Sequence, residues 1–251
     1  MSGILHSRNR YDTAPPGAGP FRLALTVFLE PYAWKIVVIG FLGAAMVMAL
    51  LGGLVWWVVT GSGWVDFGWI LRYDWSRWLF SGLGAVVYLV TIWFLFPIVF
   101  TAVAGIFLED LADRIERRHY PELPLPRKFP LSEQIRASIR GLLRGLFWNA
   151  LALPLYFIPV LNVLAYTAVN SRLLSREYFQ VVALRHFPVG VTRDCFRNHR
   201  ARLWRQGLAL VVLFVIPVVQ LVAPLLATAL TVHRLWQRED AILRRELARL
   251  P

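Results

Sequence analysis

Two side-chain amides occupy equivalent points of a repeated, otherwise apolar sequence. Asn162 lies in Ile158-Pro159-Val160-Leu161-Asn162-Val163-Leu164-Ala165, and Gln220 lies in Ile216-Pro217-Val218-Val219-Gln220-Leu221-Val222-Ala223. The shared pattern, I-P-V-x-[N/Q]-x-x-A, recurs 58 residues further along the chain. An amide in an apolar interior needs a partner or a purpose, because an unpaired polar group is expensive there. Proline removes a backbone donor and disfavours helix at the residue before it, so a fresh helix is expected to start at each tip. Its free N–H groups and positive dipole end would then face the apolar interior, which is the physics of an anion site. The same amides would equally serve to cap their helix and tie the two segments together.

Charged candidates follow a different logic. Glu109 and Asp113 share a helix face at i, i+4, and Arg114 can reach Asp110 or a neighbouring helix. Glu109 with Arg114 reads either as an ion pair at a pore mouth or as part of a solvated helix face. Further on, Ser132 can cap a helix in which Arg136, Arg140 and Arg144 recur every four residues opposite Leu131, Ile135 and Ile139 or Leu142. Such a basic amphipathic helix suits anionic lipid headgroups, or the collection of an anionic substrate. The same two readings cover Arg172, Arg176, Arg185, Arg200, Arg202 and Arg205.

Other chemistries lack their residues. No H-E-x-x-H, no G-x-S-x-G and no phosphate-binding glycine loop occurs, so no enzyme, cofactor or ATP hydrolysis is expected. The five histidines are spread over positions 6, 119, 186, 199 and 233, and the single cysteine, Cys195, offers neither a disulfide nor a paired metal spacing. A net charge of +12 raises nucleic acid, but the basic residues lie between apolar runs and form no patch of their own, so no nucleic-acid partner is expected.

The elements that must position these residues are set by hydrophobicity. Of 251 residues, 57% are hydrophobic and 17% charged, with a mean hydropathy of +0.54, a surplus of apolar surface that only a membrane accommodates. The uncharged run from Ile36 to Val59 is long enough to cross a bilayer at about 1.5 Å per residue, and Gly40, Gly43, Gly52 and Gly53 within it allow either close packing of a second helix or a hinge. A second uncharged run, Trp78 to Leu108, contains Pro97. Between them Trp64, Trp69, Trp75 and Trp78 resemble an interfacial aromatic belt. The spanning helices are thus expected at 34–59 and 78–108, after a flexible N-terminus at 1–20 that lacks the apolar region of a signal peptide.

Two shorter apolar segments, 145–169 and 207–232, carry the repeat. Each is expected to split at its proline into half-helices of roughly 10 to 14 residues, too short to cross a hydrocarbon core of about 30 Å. A single kinked span is the alternative, and charge placement decides between the two. Lys and Arg number four in residues 1–35, two in 60–77, eight in 108–144, eight in 170–206 and five in 233–251. If each repeat crossed once, the eight arginines of 170–206 would lie outside, against the positive-inside bias. Hairpins that enter and return remove the conflict. The sequence therefore predicts a single all-α integral membrane domain: two long transmembrane helices, two re-entrant hairpins and amphipathic cytoplasmic helices, with both termini in the cytoplasm.

The stretches "LYFIPVLN" (155–162), "VIPVVQLVAPLLATA" (215–229), "FLEDLADRIE" (107–116) and "SREYFQVVALRHF" (175–187) make this chain resemble the CysZ family of bacterial sulfate permeases, from about Phe21 to Asp240. The resemblance implies two long helices with two hemi-penetrating hairpins, a homo-oligomer (dimer or higher), and inner-membrane passage of sulfate or a related oxyanion for cysteine synthesis. It further implies sulfate contacts at a Pro-Gly-x-Arg-Arg-like turn opening the first span. Here that turn is Pro31-Tyr32-Ala33-Trp34-Lys35, with Tyr32 in the place of the glycine and Trp34 in that of the first arginine. Lys35 supplies a point charge without the bidentate fork of arginine. Glu109 and Arg114 match a Glu and an Arg of the family. The resulting expectation is substrate binding by Lys35, Asn162 and Gln220, and a cytoplasmic mouth shaped by Glu109 and Arg114. The competing expectation is a non-conducting structural or regulatory protein that binds partner proteins or anionic lipids.

Overall fold

No charge interrupts the chain from Ile36 to Val59, and in the computed structural model this run lies within one unbroken helix, α2 (Pro31–Thr60). Proline stands at its first position, where a missing N–H is harmless. The structure describes residues 19–60, 74–127, 131–216, 218–237 and 242–247, and all secondary-structure elements among them are helical. They divide into two compact units, Trp34–Phe107 and a larger one made of Met1–Ala33 with Leu108–Pro251.

The smaller unit contains most of α2 together with α3 (Asp74–Gly105), which continues through Pro97 and ends at Gly105 in a turn over Ile106 and Phe107. Each carries a stretch long and apolar enough to cross a membrane, Pro31–Val58 and Gly82–Gly105, and over 18 apolar residues of each only 22% and 6% are buried. The expected limit of 78–108 shifts to 74–105, because Asp74 favours a helix N-terminus and Gly105 a helix end. Trp75 and Trp78 therefore lie on the helix and not in a loop, while Trp64 and Trp69 fall outside the described residues, as does most of the predicted N-terminal tail.

The glycines of α2 serve close packing. A Cβ on Gly40 would lie 2.9 Å from the Phe100 ring, and one on Gly52 would lie 2.7 Å from the Tyr88 hydroxyl. The twelve-residue spacing on one helix matched by twelve in reverse on the other makes the pair antiparallel. Gly53 meets nothing. Since Phe100 is fully buried and cannot yield, Gly40→Leu is expected to cost about 1–3 kcal/mol. It should lower the melting temperature in detergent, whereas Gly53→Leu should leave it nearly unchanged.

The larger unit begins with α1 (Pro20–Leu25) and a 3-10 turn (Thr26–Leu29), and resumes with α4 (Leu108–His119). Two helical hairpins follow. The first is α5 (Leu131–Ala152), a 3-10 turn (Leu153–Phe157) and α6 (Pro159–Ala183); the second is α8 (Arg200–Val215) and α9 (Val219–Trp236). Between and after them lie α7 (Val189–Asn198) and α10 (Ile242–Leu247). Contacts far from the tips close both hairpins. Gln206 Nε2 donates to Thr231 Oγ1 at 2.5 Å in the second, and Arg172 lies over the Trp148 ring at 5.4 Å in the first. A helix merely kinked at its proline could not bring such residues together.

The tips repeat as well. Ile158 and Ile216 are both extended, with φ/ψ of −105°/114° and −81°/115°, and their carbonyls accept the N–H groups of Asn162 (2.7 Å) and Gln220 (2.8 Å). The arms are longer than the 10 to 14 residues expected: 22 and 25 in the first hairpin, 16 and 18 in the second. The helices carry past the apolar run into the charged sequence on either side, so the apolar segment alone understates each arm. Ser132 accordingly lies inside α5, which opens at Leu131, and not ahead of it.

α9 is a third helix long and apolar enough to cross a membrane, and it departs most from the expected half-helix. Its surroundings give the reason for its composition. It packs against α1, α4, α6, α8 and α10, and 72% of it is buried, so protein covers most of its apolar surface. α6 and α8 meet so closely that Gly207 rests on the main-chain carbonyl of Ser171.

Candidate functional site

The two tip amides occupy the first turn of α6 and of α9. Asn162 is exposed, Gln220 is half-buried, and neither side chain is hydrogen-bonded among the described residues. They therefore neither cap their helices nor tie the hairpins together. In the first tip, Pro159 has no N–H, and the N–H groups of Val160 and Leu161 have no acceptor within α6. Exposed apolar side chains surround these donors, including Phe157 (82%), Val160 (73%) and, in the second tip, Val218 (79%). Lys35 is exposed on α2, in the smaller unit.

Glu109 and Arg114, five residues apart on α4, go to different partners and form no ion pair with each other. The Arg114 guanidinium lies 4.0 Å above the Tyr32 ring, and the Tyr32 hydroxyl donates to Asp110 Oδ2 at 3.3 Å. Tyr32 thus supplies the face on which this arginine rests. Arg118 pairs with Glu30 beside it. The Glu109 carboxyl group is exposed, while its main-chain carbonyl accepts from Arg185 Nη1 at 2.8 Å.

Arg185 leads to a buried cluster that the sequence reading did not assemble. Its Nη2 reaches Asp113 Oδ1 at 2.7 Å and Glu116 Oε2 at 3.1 Å. His186 Nε2 also meets Glu116 Oε2, at 3.2 Å, and Trp236 Nε1 donates to Glu116 Oε1 at 2.9 Å. Glu116 is 4% exposed, so each of these contacts offsets the desolvation of its charge. The cluster joins α4, the α6–α7 connection and α9. A signal for it does exist in the sequence: Glu109, Asp113 and Glu116 fall at i, i+4 and i+7, a carboxylate stripe that a packed helix must neutralise. Two histidines expected to lie apart also meet, His119 against His233 with ring centroids 5.0 Å apart, and Tyr120 Oη lies 3.0 Å from His233 Nδ1. Among the described residues no group of three or more His, Cys, Asp or Glu is arranged to hold a metal.

Long, lipid-accessible apolar helices, hairpins with unpaired donors at their tips, and a charged cluster confined to the helix ends define an all-helical multi-pass membrane protein. Its family can be stated as well. The chain belongs to the family described as Sulfate transporter CysZ/Etoposide-induced protein 2.4, which matches residues 21–224. That match opens at Phe21, where the resemblance began, and takes in both tips. No curated protein gives a significant match. The protein is thus related to sulfate transporters.

Proposed function

We propose that the protein is an inner-membrane permease for sulfate or a closely related oxyanion, serving uptake for cysteine biosynthesis without ATP hydrolysis and without catalysing a chemical reaction. The observation that carries this reading is the pair of matched tips, each starting a helix with free N–H groups and an unpaired amide amid exposed apolar side chains, in a chain of a sulfate-transporter family. Both hairpins would enter the membrane and return, leaving the termini and arginine-rich regions in the cytoplasm. Exposed Lys35 would attract the anion, Asn162 and Gln220 would line its path, and Glu109 with the stacked Arg114 would shape the cytoplasmic mouth. Passage would be channel-like or ion-coupled, in a homo-oligomer surrounded by lipid.

Radiolabelled sulfate flux into liposomes tests the reading. Lys35→Ala should lower influx about tenfold at low ionic strength and by less as salt rises, the behaviour of an attracting charge. Unchanged influx would remove Lys35 from the path. A second reading is favoured by α5, where exposed Arg136 and Arg140 accompany exposed Leu142, Leu146 and Phe147: a non-conducting scaffold that binds anionic lipid. Wild-type vesicles impermeable to sulfate would support that one instead.

A further inference from the structure

Away from its tip, the first hairpin gathers arginines that the fold does not neutralise. Arg144 on α5 is half-buried, as is Arg176 on α6, where Arg172 is also carried, and Arg200 opens α8. Among the described residues none of these four takes part in an ion pair. Asp194 on α7 is shared by Arg193 and Arg197, at 3.8 Å from each. Burial, followed by the neighbouring charges of Arg144, Arg172 and Arg193, lowers the Arg176 guanidinium to about 10. Burial, then Arg172 and Arg140, lowers Arg144 as well. Holding these cations together therefore works against the fold.

Other features keep them in place without cancelling their charge. Arg172 lies over Trp148, and Arg176 over Phe196 at 5.5 Å. Aromatic faces orient guanidinium planes while leaving their N–H edges available. The Arg176 Nε is buried and has no hydrogen-bond partner, and a buried donor of this kind calls for an acceptor. Beside it opens a cavity of about 300 Å³ lined by Arg172, Ser175, Phe196, Arg200, Ala201 and Trp204.

We propose that this cavity is a binding site for a tetrahedral oxyanion, held by Arg172 and Arg200 and by the field of Arg144 and Arg176, the ligand being either free sulfate or the phosphate of an anionic lipid. Its geometry suits the ligand: guanidinium forks match pairs of oxygens, and an oxyanion supplies counter-charge that the helices lack. The tip amides Asn162 and Gln220 do not line the cavity, so the site does not depend on whether the protein conducts.

The test uses the full chain in detergent, melted with sodium sulfate or with sodium chloride at equal ionic strength, and then in nanodiscs of phosphatidylglycerol or of phosphatidylcholine. Sulfate should raise the melting temperature in proportion to occupancy, and Arg172→Gln should weaken the response roughly tenfold. Arg176→Gln should weaken it by less, because Arg176 acts through its field and does not line the cavity, and should melt no lower than the parent without ligand, since burial and neighbouring cations disfavour its charge. Arg22→Gln on α1 removes the same charge and should respond like the parent. A sulfate response weakened in the two variants identifies the free anion. Stabilisation by phosphatidylglycerol alone, weakened in the same variants, identifies the headgroup. Absence of both responses, or responses equal in parent and variants, overturns the site.

Discussion

Replacing Glu116 with alanine is expected to destabilise the larger unit by about 3–5 kcal/mol. Glu116 is buried, and both its oxygens are engaged: Oε2 by Arg185 and His186, Oε1 by the indole of Trp236. Truncation removes the acceptor of three partners at once and leaves a guanidinium, itself only about one-tenth exposed, facing a void on one side. Asp113 and the Glu109 carbonyl still hold Arg185, so the local structure loosens and does not invert. Glu116→Gln retains an acceptor for Trp236 and should lose clearly less. A denaturing-detergent titration followed by tryptophan fluorescence measures both. Equal midpoints for wild type and Glu116→Ala would mean that α4 and α9 are not joined through this carboxylate.

Gly207→Ala carries the second large effect, and its sign is the informative part. In an exposed helix the change would gain about 1 kcal/mol. Here the new Cβ would collide with the main-chain carbonyl of Ser171, and main chain cannot swing aside as a flexible side chain can. α8 must retreat from α6, uncovering Leu203, Leu210 and Phe179, all buried. Overpacking of this kind costs about 1–3 kcal/mol and at times more, which outweighs the helical gain. Aggregation temperature in detergent should fall for Gly207→Ala and further for Gly207→Val. A Gly207→Ala protein melting at or above wild type would sink the described α6–α8 contact.

The fold was legible where one physical term dominates. Uncharged runs fixed the cores of α2 and α3, and a proline repeated with its neighbours located both hairpin tips. What escaped depends on distant residues. Glu116 meets Trp236 across 120 positions and Arg185 across 69, and no periodicity links such partners. α9 escaped for another reason: hydropathy counts apolar side chains but cannot say whether lipid or protein covers them. The arginines of α5 and α6 were visible as a basic face, yet their lack of counter-ions became apparent only when the hairpin brought Arg144 beside Arg172 and Arg176. Arg114 was found as a candidate and its partner was not, because stacking on Tyr32 requires the entry to α2 to lie along α4.

The matched hairpins suggest a history. When one motif exists twice in a chain, its copies are free to diverge, and here they have done so at the same joint. The second copy closes through a neutral amide and a hydroxyl, Gln206 and Thr231, and its α9 arm is sheathed by other helices. The first closes through a cation on an indole, Arg172 on Trp148, and leaves its tip bare. One copy has become the keel of the larger unit. The other keeps its α6 arm packed against α8 while its α5 arm presents Leu142, Leu146 and Phe147 outward, so the two copies divide burial and exposure between them.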